Sequence, residues 1–385
     1  MFQIESKDNK TKARSGIIKT PHGEIKTPCF TPVATKASIK SLDMKDFKKT
    51  NSQVILANTC HLYLQPGLNV IEKFSGFGPF MNWRGPTITD SGGYQVSFLW
   101  SKDDQDRAKS VKITDDGAIF QSHIDGSKHL LTPEKSMEIQ KILGADIIMA
   151  FDNPLGKDYS DKRKNEAFNR TLRWEERSFN HWKKIKSKQA LFGVIQGEED
   201  KDLRQKSLKF ILELGFPGLA IGGESIGSDP VKTAQALDTI VDLLPDDKPL
   251  HALGLGGGPE GIFEAVARGV DTFDNTGITR MARTGILFLY PQDGGNRENK
   301  FRTDIAKAKY KDSRPPISLQ CGCYTCQNFS KAYLNHLFLS HEMLGPRLAT
   351  IHNITYINNL MSQIRSAIEN GDFLDLKASY FEKAL

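Results

Sequence analysis

Eight short apolar runs, each closed by a polar or glycine-rich turn, punctuate the chain as far as residue 277. They are PCFTPVAT (28–35), SQVILANT (52–59), TITDSGG (87–93), ADIIMAFD (145–152), ALFGVIQG (190–197), GLAIGGES (218–225), LHALGLGG (250–257) and DTFDNTG (271–277). Their hydrophobicity is continuous rather than alternating, which suits strands buried on both faces of a parallel sheet. Helical patterns separate most of them: TPEKSMEIQKILG (132–144), EAFNRTLRWEERSFNHWKKIK (166–186), DKDLRQKSLKFILELG (200–215), PVKTAQALDTIVDLL (230–244) and GPEGIFEAVARG (258–269). Thr132, and either Ser228 or Asp229, stand where helix caps belong, each followed by proline in the first turn. The alternation predicts an α/β fold, a (β/α)8 TIM barrel, with a doubly wound open sheet as the alternative. Residues 97–131 break the rhythm and read as an inserted hairpin.

A second pattern constrains the C-terminal part. Three of the five cysteines fall in CGCYTC, as Cys321, Cys323 and Cys326. Thiolates this crowded repel one another and oxidise unless something binds them. Together with a later histidine they supply three sulfurs and one nitrogen, the donor set of a closed tetrahedral zinc site. Such a site holds chain segments together and leaves no open position for chemistry. A disulfide would leave an odd cysteine, and Cys-x-Cys spacing makes a poor bridge. Spacing leaves the histidine open between His336, His341 and His352.

In a barrel, the active site lies at the C-terminal ends of the strands. Those ends carry Asn58, Asp90, Asp152, Gln196, Gly222, Gly223, Gly254, Gly256 and Asp274. A lone Asp after a strand is more often a turn residue; several on successive strand ends converge on one pocket. Facing carboxylates are the tools of glycosyl chemistry, one attacking the anomeric carbon and one moving protons. Asp, Gln and backbone amides also match the polar edge of a purine, and paired glycines let the backbone come close. GLGGGPEG lacks the Lys-Ser/Thr of a phosphate loop and reads as a tight strand-to-helix turn.

TDSGGYQV (89–96), VIQG (194–197), AIGG (220–223), DTFDNTGITR (271–280) and CGCYTC with HEMLGPRLATIHN resemble the tRNA-guanine transglycosylases of bacterial type, over essentially the whole chain. The resemblance implies exchange of the wobble guanine of GUN-anticodon tRNAs for a 7-deazaguanine, in queuosine biosynthesis. It implies Asp274 as the nucleophile and Asp90 as the general acid/base. Asp152, Gln196, Gly222, Gly223 and Ser91 would bind the base, Tyr94 would stack on it, and Arg280 and Arg283 would contact the RNA. It selects His352 beside Cys321, Cys323 and Cys326 as ligands of one structural zinc ion (Zn2+) per subunit, and implies a homodimer with the zinc region near the interface.

The chain departs from the usual bacterial pattern at FDNPLGKD (151–158) and at Glu224-Ser225-Ile226. Both border the space for the 7-substituent, so they bear on which base enters. Ile226 favours the small aminomethyl base preQ1 over queuine. Glu224 would pair with its ammonium if it points inward, and would otherwise be a surface residue.

The expected division is a barrel over 1–296, a basic segment and zinc-binding subdomain over 297–353, and a final helix over 354–385. Between Arg297 and Arg314 stand seven Lys/Arg against three acids, a segment suited to an RNA backbone. The polar N-terminus has no apolar segment of a signal peptide, no run reaches the roughly 20 residues of a membrane span, and reduced cysteines suit the cytoplasm. Two rivals remain at this point. One is a non-catalytic tRNA-binding partner subunit, which would lack the carboxylates. The other is a barrel N-glycosidase acting on another nucleic acid, which would not need the basic segment.

Overall fold

The structure is a computed structural model, and it describes residues 1–99, 111–227 and 229–381. The chain opens with three antiparallel strands, β1 (Phe2–Lys7), β2 (Arg14–Thr20) and β3 (Gly23–Thr27). Sequence reading took this stretch only as a polar terminus. Its alternation of half-buried and exposed residues in FQIESK is that of a strand with one face covered.

The eight apolar runs then each yield one strand of a single sheet. They are β4 (Cys29–Pro32), β5 (Ile55–Ala57) and β6 (Thr87–Thr89) before the insertion. The insertion is a three-stranded antiparallel sheet, β7 (Val111–Ile113), β8 (Ala118–Gln121) and β9 (Lys128–Leu131), where a two-stranded hairpin was expected. KHLL, at the end of the expected hairpin, becomes a strand of its own because a free edge of β8 is there to pair with. Residues 100–110 of the insertion lie outside the described residues.

After it come β10 (Ile147–Met149), β11 (Ala190–Ile195), β12 (Gly218–Ile221), β13 (Leu250–Ala252) and β14 (Thr272–Asn275). The strand order is β4-β14-β13-β12-β11-β10-β6-β5, all parallel. A parallel bridge from Val33 to Leu56 joins the two ends of that order, so the sheet is a closed barrel and not the open alternative.

Within each strand the side-chain period of two divides the apolar residues between two cores. Phe192 and Val194 point inward with Leu56, Ile88, Ile147, Met149 and Ala220, and Ile18 and Ile25 of the N-terminal sheet close the same cluster from below. Leu191 and Ile195 point outward to the helices. The expected helices appear as Pro133–Leu143, Asp161–Lys184, Lys201–Leu214, Pro230–Asp238 and Pro259–Val266. Thr132 caps the first by accepting from Lys135 N, and Asp229 caps the fourth by accepting from Val231 N and Lys232 N. Ser228, the other expected cap, lies outside the described residues.

Beyond the barrel, β15 (Ile286–Phe288) pairs antiparallel with β16 (Arg302–Asp304). A 27-residue helix, Leu344–Asn370, then lies along the barrel. The expected boundary between 353 and 354 falls inside this helix, which is continuous because Asn353 and Asn358 turn their amides to Ile286 O and Thr50 O while apolar neighbours stay buried. Residues 382–385 of the expected final segment lie outside the described residues. Among the described residues no helix is long and apolar enough to cross a membrane.

A carboxylate pocket and a cysteine-histidine cluster

Parallel strands in a ring place all their C-terminal ends on one rim. Asp90 follows β6, Asp152 follows β10, Gln196 follows β11, and Asp274 is the next-to-last residue of β14. The expected pocket residues therefore share one end of the barrel.

Asp90 keeps a small opening to solvent but is otherwise enclosed. Thr59 N–H donates to its Oδ1 at 2.9 Å, and Asn58 Nδ2 and Gln95 Nε2 donate to Oδ2 at 2.5 and 3.2 Å. Asn58 is itself fixed, because its own carbonyl oxygen caps the helix Thr59–Leu62. All three donors are neutral. Burial pushes the Asp90 carboxyl up to about 7; the charge of Asp274 adds to this, and the three hydrogen bonds pull back.

Asp274 is held on one oxygen only. Gly254 N–H donates to Oδ1 at 3.0 Å, and His251 Nε2 lies 3.3 Å from the same atom. Among the described residues Oδ2 has no hydrogen-bond partner. Gly254 has φ +73, which lets its amide turn back over the pocket where another residue would be strained.

Asp152 accepts from Ser91 Oγ at 3.1 Å and from Gln196 Nε2 at 2.8 Å. Burial pushes it up to about 6 against those two bonds. Among the described residues Gln196 Oε1 is buried without a partner, an acceptor that lacks a donor. The helix Asp161–Lys184 fixes the backbone on either side of Asp152, where Ser178 Oγ takes Phe151 N–H and Thr171 Oγ1 takes Asn153 N–H, and it also holds β11, where Glu175 takes Val194 N–H. The glycine pair of TDSGGYQV has a local reason, since a Cβ on Gly93 would run into the Asp152 backbone and carboxylate.

Arg204 was not anticipated from the sequence. It is fully buried, and its guanidinium donates to Ile195 O, Gly222 O, Glu198 O and Ser225 Oγ. Glu198 in turn accepts the N–H groups of Glu224 and Ser225 at 2.8 and 2.9 Å. The two tie the end of β11 to the loop after β12, so Gln196 and Gly222-Gly223 move as one unit. Gly223, at φ +115, has no room for a side chain beside Glu198. Burial pushes Arg204 down to about 10, with Glu198 pulling back, so it remains a cation at neutral pH.

Tyr94 is half exposed, its ring leaning on Phe98 at 5.3 Å. Arg280 and Arg283 lie on the short helix Gly277–Arg283 that leaves β14; Arg280 is exposed, and neither has an ion pair among the described residues. Glu224 is half-buried, and its carboxylate accepts Lys157 N–H at 2.9 Å, bridging to the loop after Asp152. Ile226 is buried in the apolar layer around the barrel. In the basic segment Lys300, Lys307, Lys309, Lys311 and Arg314 are exposed, whereas Arg302 lies over the Phe288 ring at 5.4 Å. On the long charged helix, Arg170, Arg173 and Arg177 are engaged with Asp115 and Glu134.

Away from the pocket, Cys321, Cys323, Cys326 and His352 bring their ligand atoms within 4.8 Å of one another, all buried. His352 Nε2–H donates to Phe288 O at 2.9 Å, which leaves Nδ1 bare toward the sulfurs. The three Sγ atoms stand 3.9, 3.7 and 3.3 Å from Nδ1. A tetrahedral zinc with ordinary Zn–S and Zn–N bonds requires about 3.6 Å, so the donor set fits a metal ion of that kind. His336 lies on the helix Lys331–Leu339 with its ring toward Ser340, and His341 is exposed; neither joins the cluster.

Comparison with known proteins gives one consistent result. The family model described as queuine tRNA-ribosyltransferase matches residues 8–384. The queuine tRNA-ribosyltransferase of Thermoanaerobacter pseudethanolicus is 42% identical over 384 residues, covering 99% of this chain and 97% of that protein. That of Caldanaerobacter subterraneus subsp. tengcongensis is 43% identical over 384 residues, with the same coverage. That of Psychrobacter sp. is 43% identical over 376 residues, covering 97% and 94%.

Proposed function

This chain belongs to the queuine tRNA-ribosyltransferase family and is a tRNA-guanine transglycosylase, and we propose that it works by double displacement at C1′ of the wobble nucleotide, with Asp274 as nucleophile and Asp90 as general acid/base. Asp274 attacks C1′ through its unbonded Oδ2. The C1′–N9 bond breaks, its electron pair leaves with guanine, and Asp90 protonates that base. A covalent ribosyl-Asp274 intermediate remains. Asp90, now a carboxylate, takes the N9 proton of the incoming 7-deazaguanine, which attacks C1′ and frees Asp274. Two inversions retain the β configuration.

The observation that carries this reading is the electrostatic link between the two groups: the charge of Asp274 helps burial to hold a proton on Asp90 near neutral pH, where an acid that must later act as a base works best. Asp152 and Gln196 recognise the base, with Ser91, Gly222 and Gly223 shaping the site and Tyr94 stacking on it. The orphaned Gln196 Oε1 and the two Asp152 oxygens are acceptors suited to the N–H groups of a guanine-like edge. Arg280, Arg283 and the exposed lysines of 297–314 contact the RNA of a GUN-anticodon loop.

The cluster at Cys321, Cys323, Cys326 and His352 holds a structural zinc ion, which would join the basic segment to the long helix and supply no step of the reaction. The enzyme acts in the cytoplasm as a homodimer. Exposed Leu319, Leu339 and Met343 around the zinc region support a partner surface there. Stripping the metal should cost assembly and tRNA binding before it alters the carboxylate pocket; a chelated protein that binds tRNA normally would count against this.

The incoming base is preQ1, a reading supported by a carboxylate, Glu224, close to the base loop; Ile226, buried in the apolar layer, does not bear on it. One observation favours queuine instead: a cavity of about 620 Å³ lined by Asn153, Lys157, Tyr159, Arg170 and Glu224 has room for a larger 7-substituent. The deciding experiment is exchange of labelled guanine into tRNA bearing a GUN anticodon, with preQ1 and queuine as competitors. Absence of incorporation would sink the exchange reaction, and the stronger competitor identifies the base.

A further inference from the structure

Resting on the reading of Asp274 as nucleophile, we propose that His251 is its positioning residue, fixing one carboxylate oxygen so that the other is presented to C1′. His251 stands in the middle of β13 and is fully buried. A histidine inside the apolar run LHALGLGG has no packing reason to be there that leucine would not serve better. Its register partner on β14 is Thr272. Thr272 and Asp274 are two apart on that strand, so their side chains leave the same face, and both reach the imidazole.

Thr272 Oγ1 lies 2.9 Å from Nδ1, and Asp274 Oδ1 lies 3.3 Å from Nε2. An ionised carboxylate only accepts, so Nε2 carries the hydrogen toward Asp274. In the neutral imidazole Nδ1 then holds the lone pair, and the Thr272 hydroxyl donates to it. In that tautomer each of the three groups has one role.

The consequence is an asymmetric carboxylate. Oδ1 accepts from His251 and from Gly254 N–H at 3.0 Å, whereas Oδ2 accepts from none of the described residues. Rotation of an Asp carboxylate about its last bond is broad and nearly two-fold. Two donors on one oxygen remove that freedom before substrate arrives. The donors are a backbone amide and an imidazole N–H. A guanidinium in the same place would hold the charge more tightly and weaken the nucleophile.

The test uses the full chain and tRNA with a GUN anticodon. The readout is the single-turnover rate of denaturant-stable adduct formation, alongside KM for tRNA and for guanine and the melting temperature. His251→Phe keeps the ring volume and removes both nitrogens; adduct formation should slow by roughly 10- to 100-fold with KM values nearly unchanged. His251→Gln places an amide N–H where Nε2 stood and should recover most of that loss. Thr272→Val, which removes the group that sets the tautomer, should slow the step by about fivefold.

A wild-type rate in His251→Phe would overturn the proposal. So would a His251→Gln variant that melts like wild type yet is as slow as His251→Phe. Should His251→Phe not fold, an unchanged rate in Thr272→Val overturns it. Asp274→Asn is the control for the premise: an adduct in that variant removes the nucleophile assignment itself. No adduct there with wild-type rates in His251→Phe removes only this inference.

Discussion

The two ends of the barrel bury the same residue type and do opposite things with it. At the N-terminal ends of the strands, Asp271 meets Arg14 through two hydrogen bonds, 3.0 and 2.7 Å, and Leu250 N–H through a third. Asp146 at the same end accepts from Thr87 N–H and Oγ1–H and faces His22 at 2.7 Å. At the C-terminal ends, Asp90, Asp152 and Asp274 meet amides, hydroxyls and an imidazole, and among the described residues no cation forms an ion pair with Asp90 or Asp152. Burial pushes Asp271 up as it does Asp90, but at Asp271 the Arg14 guanidinium is the first force pulling back. A buried carboxylate with a cation ties strands together; one without a cation holds its proton to higher pH and is available for chemistry.

The comparison breaks most sharply at Asp274. Asp274→Asn should bind tRNA yet form no denaturant-stable adduct, with base exchange reduced at least about a thousandfold; an adduct would move the nucleophile to another carboxylate. Asp90→Asn should follow, with exchange lowered by about 10² to 10⁴. In the wild type, adduct formation should fall as pH rises through about 7, because guanine departure requires the protonated Asp90. A rate flat from pH 6 to 8.5 would remove Asp90 from that role.

At the opposite end the cost should appear in stability. Arg14→Met leaves Asp271 buried without its cation and should destabilise by about 3–5 kcal/mol, read by denaturant melts, while turnover per folded molecule stays unchanged. Asp90→Asn should do the reverse. The folded-state carboxyl sits near 7 against an ordinary 3.8, so the wild type holds this contribution fully below about pH 4 and loses it as pH climbs to about 7. The neutral amide carries no charge to desolvate and has no such loss. Its advantage should therefore grow from pH 4 to 7 and reach at most about 4 kcal/mol. Equal melting shifts at pH 4 and pH 8 would show that the rim carboxylate is compensated after all. The smallest effect belongs to His22→Gln, whose ring is half exposed and only one of three partners of Asp146; about 1 kcal/mol or less is expected.

Much of the rim was legible because each pocket residue lies at or just after a strand end, and strand ends follow from apolar runs and the turns that close them. The eight strands, the Thr132 cap and the positions of Asp90, Asp152, Gln196 and Asp274 are local properties of that kind. Three things were not local. The N-terminal sheet has too few apolar residues to signal itself, and it forms because Ile18 and Ile25 close the barrel floor. The third strand of the insertion exists because β8 offers an edge. The helix Leu344–Asn370 runs past the expected boundary because the carbonyls of Ile286 and Thr50 receive its asparagine amides.

His251 and Arg204 escaped for a related reason. Each is a polar residue in a segment whose periodicity already had a structural explanation, and its purpose appears only when a distant strand or loop is laid against it. The sequence by itself determined which strand end every carboxylate occupies, since spacing along a parallel barrel allows nothing else. Only the tertiary structure decided what stands beside each: Arg14 and His22, brought by the N-terminal sheet to one end, and neutral donors at the other. A carboxylate's proton affinity depends on charges and dipoles within a few ångströms, and those neighbours come from residues up to 257 positions away.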